Sequence, residues 1–92
     1  MMDFSQIQAL DKQYHAETYS YFPIAFTGGK NATLIGTDGK EYIDFGAGIA
    51  TNIFGVNDES WKTAVVDQLN RVQHVCNYYY AEPQSRLAEL LC

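Results

Sequence analysis

TLIGTDGKEYIDF, residues 33–45, is the stretch that decides how the first half of the chain folds. Asp38-Gly39 lies between two runs rich in β-branched and aromatic residues, and both turn residues tolerate positive φ. The pattern predicts a β-hairpin with strands at about residues 32–36 and 41–45. A further apolar run predicts a strand at about 24–27, followed by a turn at Gly28-Gly29. Together these strands indicate a small antiparallel meander.

Apolar residues that recur every three or four positions predict a helix on each side of the strands. The first helix is expected at about residues 3–18 and the second at about 58–73, where Asn57 and Asp58 can cap the start. The periodic residues are Phe4, Ile7, Leu10 and Tyr14 in the first helix and Trp61, Val65, Leu69 and Val72 in the second.

A third helix is predicted at about residues 83–92, because Pro83 suits a first helical position and leucines follow on one face. That apolar face is still running at Cys92, and no glycine or proline stop signal precedes it. We therefore expect an α+β fold, with residues 1–92 forming one amino-terminal segment of a larger protein.

Composition narrows the class of protein. Six Lys and Arg residues and a net charge of −5 leave no basic stripe, so nucleic-acid binding is not expected. No apolar run approaches the roughly 18 residues of a membrane span, and no signal-peptide core follows Met1, so we expect a cytoplasmic chain without membrane contact. The aromatic content of 14% fits either core packing or an interface.

The sequence alone offers no catalytic, cofactor-binding or metal-binding residue. Cys76, Cys92, His15 and His74 do not have metal-ligand spacing. The lysines stand in polar surroundings, whereas a reactive lysine needs a lowered pKa. The small residues at 46–52 would let a ligand or a backbone segment approach closely, and tight packing beneath the hairpin is the alternative.

Three blocks in a fixed order carry a resemblance to a known family. They are DGKEYIDF at residues 38–45, GIATN at 48–52 and HVCNYYYAEP at 74–83. The chain resembles the start of the class III aminotransferases, which have the fold-type I architecture, and in particular their acetylornithine type. It departs from the family at residues 55–59, which read GVNDE where G-H-x-H-P is common, and at Tyr21, where a basic residue is frequent.

The resemblance implies a parent enzyme that transfers an amino group between N-acetylornithine and 2-oxoglutarate in arginine biosynthesis. That parent would be a cytoplasmic homodimer using pyridoxal 5'-phosphate. The parts that hold the cofactor would lie beyond Cys92, so these 92 residues alone are expected to be inactive and to bind no cofactor. The partners of the segment would be the remainder of its own polypeptide, small amino acids and 2-oxo acids.

Two kinds of alternative stay open. Ornithine, succinylornithine or 4-aminobutyrate could replace N-acetylornithine as the amino donor within the same family. A non-enzymatic interaction module, docking a partner through its aromatic and leucine faces, belongs to a different class of protein.

The resemblance also assigns roles to individual residues. In similar enzymes the matching positions line the substrate pocket, shape its backbone or lie near the dimer interface. These positions are, in that order, Tyr19 and Ile49, Gly48 and Asn52, and Asn77 and Tyr79.

Overall fold

The computed structural model describes all 92 residues. They form four helices and one three-stranded antiparallel sheet, which confirms the α+β prediction and the meander. The chain divides into two compact units, residues 1–59 and residues 60–92. In chain order the elements are α1 (Phe4–Tyr14), β1 (Phe26–Lys30), β2 (Thr33–Gly36), β3 (Glu41–Ile43), α2 (Ala47–Ala50), α3 (Glu59–Leu69) and α4 (Glu82–Leu91).

Helix α1 begins with a capping box. Asp3 Oδ1 accepts the Gln6 amide at 2.9 Å, and Gln6 Oε1 accepts the Asp3 amide at 3.0 Å. The helix ends at Tyr14, because His15 is extended (φ −90°, ψ 146°). The prediction that this helix reaches residue 18 was therefore wrong, and residues 15–18 add no apolar side chain to its periodic face.

The sheet is ordered β1-β2-β3, with Leu34 at its centre between Gly29 and Tyr42. The predicted Asp38-Gly39 hairpin is present: Gly39 has φ +75°, and the Gly36 amide donates to the Lys40 carbonyl at 3.0 Å. No hydrophobic side chain is fully buried in the chain. The sheet is stabilised by its ladder and by the Phe26 ring, which contacts the Tyr42 ring edge-on at 5.6 Å.

Strand β1 starts later and extends further than the sequence predicted. Gly28 and Gly29 lie inside the strand and not at a turn, and the chain reverses at Asn31 and Ala32. Asn31 takes the positive φ of 55° that this two-residue loop needs, which asparagine tolerates. Gly29 is used because a Cβ there would meet the Thr33 carbonyl oxygen on the neighbouring strand.

In the second unit, α3 ends at Leu69, four residues before the predicted end. The chain continues in a turn, where the Arg71 amide donates to the Gln68 carbonyl at 3.1 Å and Gln68 Nε2 donates to the Val72 carbonyl at 2.8 Å. Helix α4 carries Pro83 in its first turn, and its Leu90 side chain is 81% exposed. No helix of the chain is both long enough and apolar enough to span a membrane.

Candidate functional site

The candidate site is the segment that leaves β3, residues 44–57, in the first unit. Asp44 extends the sheet by one bond, its amide donating to the Ala32 carbonyl at 2.8 Å. Its side chain bonds the residues that follow it in the chain. Asp44 Oδ1 accepts the amides of Gly46 at 3.0 Å and Ala47 at 2.9 Å. One carboxylate thus joins the end of the sheet to the start of α2.

α2 is a single turn of left-handed helix. Its four residues all have positive φ: Ala47 47°, Gly48 61°, Ile49 58° and Ala50 59°. Only Gly48 adopts this conformation without steric cost, whereas each of the three other residues costs about 1–2 kcal/mol. Backbone strain of this kind is concentrated at functional sites, where the surrounding structure enforces it. The small-residue stretch therefore holds a strained turn and not only a tightly packed one.

The turn is closed by its own hydrogen bonds. The Ala50 amide donates to the Gly46 carbonyl at 3.0 Å, and the Thr51 amide to the Ala47 carbonyl at 2.8 Å. Thr51 Oγ1 donates to the Gly48 carbonyl at 2.7 Å, and a Cβ on Gly48 would lie 2.6 Å from that hydroxyl. The side chain of Ile49, at the middle of the turn, is 94% exposed.

Two groups of hydrogen bonds, here called clamps, hold the segment: the bonds of Asp44 hold its near end, and a second clamp fixes its far end to the β1–β2 loop. Asn31 and Val56 exchange two backbone hydrogen bonds of 2.8 Å. Asn57 Nδ2 donates to the Gly29 carbonyl at 2.8 Å, and Asn57 has a φ of +55°. The sequence analysis offered Asn57 and Asp58 as residues that can cap α3, and the structure adds this bond from Asn57 to strand β1. The two clamps flank a groove of about 330 Å³ lined in part by Asp44 and Asn52.

The predicted pocket residues occupy two different places in this unit. Gly48, Ile49 and Asn52 belong to the strained turn and its exit. Tyr19 is exposed in the segment after α1 and lines a groove of about 400 Å³ beside the contact of Asp11 Oδ1 with His15 Nδ1 at 2.8 Å. Ile49 does not line that groove.

Asn77 and Tyr79 lie in the second unit and share one groove of about 290 Å³ with the first turns of α4. The Tyr79 amide donates to the Cys76 carbonyl at 3.1 Å, which gives a tight turn. Tyr78, Tyr79 and Tyr80 are all exposed. The structure thus brings together the two residues that the sequence analysis assigned to an interface.

The clearest electrostatic feature lies on the hairpin. The Tyr42 hydroxyl donates to Asp38 Oδ2 at 2.8 Å, and the Lys40 amide donates to Asp38 Oδ1 at 3.0 Å. These two bonds, the tyrosine's first, lower the pKa of Asp38, and the same carboxylate raises the pKa of Tyr42. In the second unit the Arg86 hydrogen bond lowers the pKa of Glu82.

Sequence reasoning missed Asp44, whose only sequence signal is an aspartate two residues before a glycine, the spacing of a side-chain-capped turn. It also missed Asn31, the first residue of the two-residue loop between β1 and β2. Asp44 acts through side-chain bonds to the next turn and Asn31 through backbone bonds to Val56, and hydrophobic periodicity reports neither kind of bond.

The sequence profile of the family described as aminotransferase class-III matches residues 14–92. The chain belongs to the class-III aminotransferases. This class-III aminotransferase chain is 48% identical over 84 residues to the acetylornithine aminotransferase of Wolinella succinogenes, an alignment that covers 91% of the chain and 21% of that relative. The chain therefore spans about a fifth of the length of the curated relatives it matches.

Solved structures agree with the family. The N-acetylornithine aminotransferase of Stenotrophomonas maltophilia superposes with a TM-score of 0.75 at 31% identity, over 90% of this chain and 21% of that one. The ornithine aminotransferase of Toxoplasma gondii gives a TM-score of 0.86 at 24% identity over 96% of this chain and 21% of that one, and PLP is described at its active site. The class-III chain thus has the fold of the matching part of a fold-type I aminotransferase, as predicted.

Proposed function

We propose that the chain is the amino-terminal part of an aminotransferase that moves an amino group between N-acetylornithine and 2-oxoglutarate, a step of arginine biosynthesis. The observation that carries this proposal is the 48% identity to an acetylornithine aminotransferase over 91% of the chain. Membership of the family favours an enzyme over a non-enzymatic interaction module. The match to ornithine aminotransferases, at 15% and 24% identity, reports the fold and does not select ornithine as the donor.

Pyridoxal 5'-phosphate is the proposed cofactor of the complete enzyme, and it would supply the electron sink for amino transfer. The residues of this chain do not fit a site for it. No lysine is buried, and Lys40 is exposed 3.8 Å from Asp38. A lysine that carries the cofactor needs a desolvated site or a neighbouring cation to lower its pKa. We place the cofactor's protein ligands outside residues 1–92, so this segment alone is inactive.

We assign Tyr19 and Ile49 to contacts with the amino donor, and Gly48 and Asn52 to shaping the backbone beside it. The exposure of both side chains and the strain of the left-handed turn support this assignment. Asn77 and Tyr79 are proposed to lie near the interface of a homodimer. Their shared groove, which Tyr80 also lines, and the exposure of the three consecutive tyrosines 78–80 support that role, since tyrosine is enriched at interfaces.

The remainder of the polypeptide is the proposed cover for the exposed apolar faces. Trp61 on α3 is 56% exposed and Leu90 on α4 is 81% exposed. Several neighbouring apolar side chains are exposed along each of these helices, and such continuous apolar surfaces mark places that another protein segment covers. We place the complete enzyme in the cytoplasm, where small amino acids and 2-oxo acids are its substrates.

The test is an assay of the complete gene product with 2-oxoglutarate and a panel of donors. The panel is N-acetylornithine, ornithine, N-succinylornithine and 4-aminobutyrate. We expect the highest kcat/KM with N-acetylornithine. A higher kcat/KM with another donor would overturn the proposed substrate. If no donor is turned over, the assignment as an aminotransferase is wrong. The 92-residue chain is the matched control: with pyridoxal phosphate and borohydride, mass spectrometry should find no stoichiometric lysine adduct.

A further inference from the structure

The left-handed turn at residues 47–50 needs a cause outside its own sequence. Three of its four residues are not glycine, so the sequence of the turn does not by itself favour this conformation. Its internal hydrogen bonds form only once the turn exists. A group outside the turn must therefore select the left-handed form over the ordinary right-handed one.

Asp44 is placed to do this. The first amides of any helical turn have no partner inside it. Here the amides of Gly46 and Ala47 converge on one oxygen, Asp44 Oδ1, at 3.0 and 2.9 Å. The Asp44 backbone is itself held to the sheet, since its amide donates to the Ala32 carbonyl at 2.8 Å. The carboxylate thus transmits the fixed position of the sheet to the turn.

The other end of the segment does not replace this clamp. The bonds of Asn57 to Gly29, and of Val56 to Asn31, lie beyond the turn. Thr51 caps within the turn, donating to the Gly48 carbonyl. Among the side chains that bond the turn, Asp44 alone joins its first amides to the sheet.

We propose that Asp44 is a positioning residue, which sets the orientation of Ile49 toward the amino donor without touching the donor itself. This inference rests on the proposed function, because it takes Ile49 as a donor contact. The two amide bonds need an oxygen acceptor on a side chain of this length, and they do not need that oxygen to be charged. Asparagine should therefore replace Asp44, whereas alanine should not.

The kinetic test uses the complete gene product. Asp44→Ala should raise KM for N-acetylornithine about tenfold and leave kcat within about twofold, because misplacement of a binding group weakens the donor complex. Asp44→Asn should restore KM to within about twofold of the unsubstituted value. Asp38→Ala is the matched control, since it removes a similar carboxylate clamp from the neighbouring hairpin and should leave KM unchanged. Equal losses in Asp44→Ala and Asp44→Asn, or an unchanged KM in Asp44→Ala, overturn the proposal.

A second readout separates this inference from the proposed function. Three-bond amide–Hα couplings and nuclear Overhauser effects across residues 46–51, measured by NMR, report the left-handed backbone without any turnover. Asp44→Ala should lose this signature and Asp44→Asn should keep it. A left-handed turn that persists in Asp44→Ala overturns the positioning role while the enzyme assignment stands. Absence of aminotransferase activity in the unsubstituted protein overturns the function, and the NMR result still decides what holds the turn.

Discussion

The Tyr42 hydroxyl donates a 2.8 Å hydrogen bond to Asp38 across the β2–β3 hairpin, while the Tyr42 ring contacts Phe26 on β1. One side chain therefore joins the turn, its own strand and the far strand of the sheet. No hydrophobic side chain of this chain is fully buried, so this contact between strands can be tested without disturbing a closed core.

Removing the Tyr42 hydroxyl should remove the hydrogen bond that lowers the pKa of Asp38. In Tyr42→Phe the pKa of Asp38 should rise toward its ordinary value of 3.8, because the largest cause of its depression is the Tyr42 hydrogen bond. The ring contact with Phe26 remains in this variant. Carbon-13 NMR titration of the Asp38 carboxyl measures the change. Tyr14→Phe, at an exposed position on α1, is the control and should leave the Asp38 titration where it was. An Asp38 titration that is the same in both variants contradicts the assignment.

The same pair predicts a pH dependence at both ends of the scale. The folded pKa of Asp38 is depressed, so its stabilising contribution is present above 3.8 and is lost as pH falls through the folded value. The folded pKa of Tyr42 is raised, so its contribution is present below 10.0 and is lost as pH rises through the folded value.

This dependence can be measured as a difference between two proteins. The thermal midpoint of the unsubstituted protein minus that of Tyr42→Phe should be constant from about pH 5 to about pH 9 and should shrink outside that window. A difference that stays constant down to pH 2 would show that the ionised Asp38 carboxylate adds no stability through its bond with Tyr42.

Alanine substitution at three glycines should lower local stability by increasing amounts, because the three backbone positions differ in φ and in the space around them. Gly28→Ala should change local stability by at most about 0.5 kcal/mol, since a Cβ there meets nothing within 4 Å. Gly39→Ala should cost about 1 kcal/mol from its φ of +75° alone. Gly55→Ala should cost about 1–3 kcal/mol, because its φ is +81° and its Cβ would lie 2.8 Å from the Asn31 carbonyl oxygen.

Native-state hydrogen exchange of the Gly36 and Val56 amides reports these costs as local opening free energies. Both amides donate backbone hydrogen bonds beside the substituted sites. The order of the three effects is the prediction. If Gly55→Ala proves as mild as Gly28→Ala, the close approach of residue 55 to the β1–β2 loop is not present in solution.

Asn57 permits a test that separates conformation from hydrogen bonding. Asn57→Gly keeps access to the φ of +55° and loses the bond to the Gly29 carbonyl, which should cost about 1 kcal/mol. Asn57→Ala loses both and should cost about 1 kcal/mol more. Exchange of the Val56 amide measures both variants. Equal stability of Asn57→Gly and the unsubstituted protein would show that the bond from Asn57 Nδ2 to the Gly29 carbonyl does not stabilise the segment.

The hairpin was predictable from sequence because its turn has a local signature. Asp38-Gly39 supplies residues that accept positive φ, and the flanking runs supply the strands. The same reasoning misplaced β1, because Gly28-Gly29 has an equally strong turn signature. There Gly29 permits the close approach of Thr33 and Leu34 on the neighbouring strand, a contact that local sequence does not encode.

The left-handed turn was not predictable for a related reason. Alanine and isoleucine disfavour positive φ, so nothing in the sequence marks Ala47, Ile49 and Ala50 as left-handed. We infer that the conformation depends on Asp44, whose amide is bonded to the Ala32 carbonyl in the β1–β2 loop. The positions of Gly48, Ile49 and Asn52 could be proposed from resemblance, whereas the geometry that presents them required the structure.

The most direct test of the central claim is the ratio of kcat/KM for N-acetylornithine to that for ornithine, measured on the complete gene product with 2-oxoglutarate as the amino acceptor. We expect a ratio of at least about tenfold, since the chain is 48% identical to an acetylornithine aminotransferase over 91% of its length. A ratio below one would contradict it.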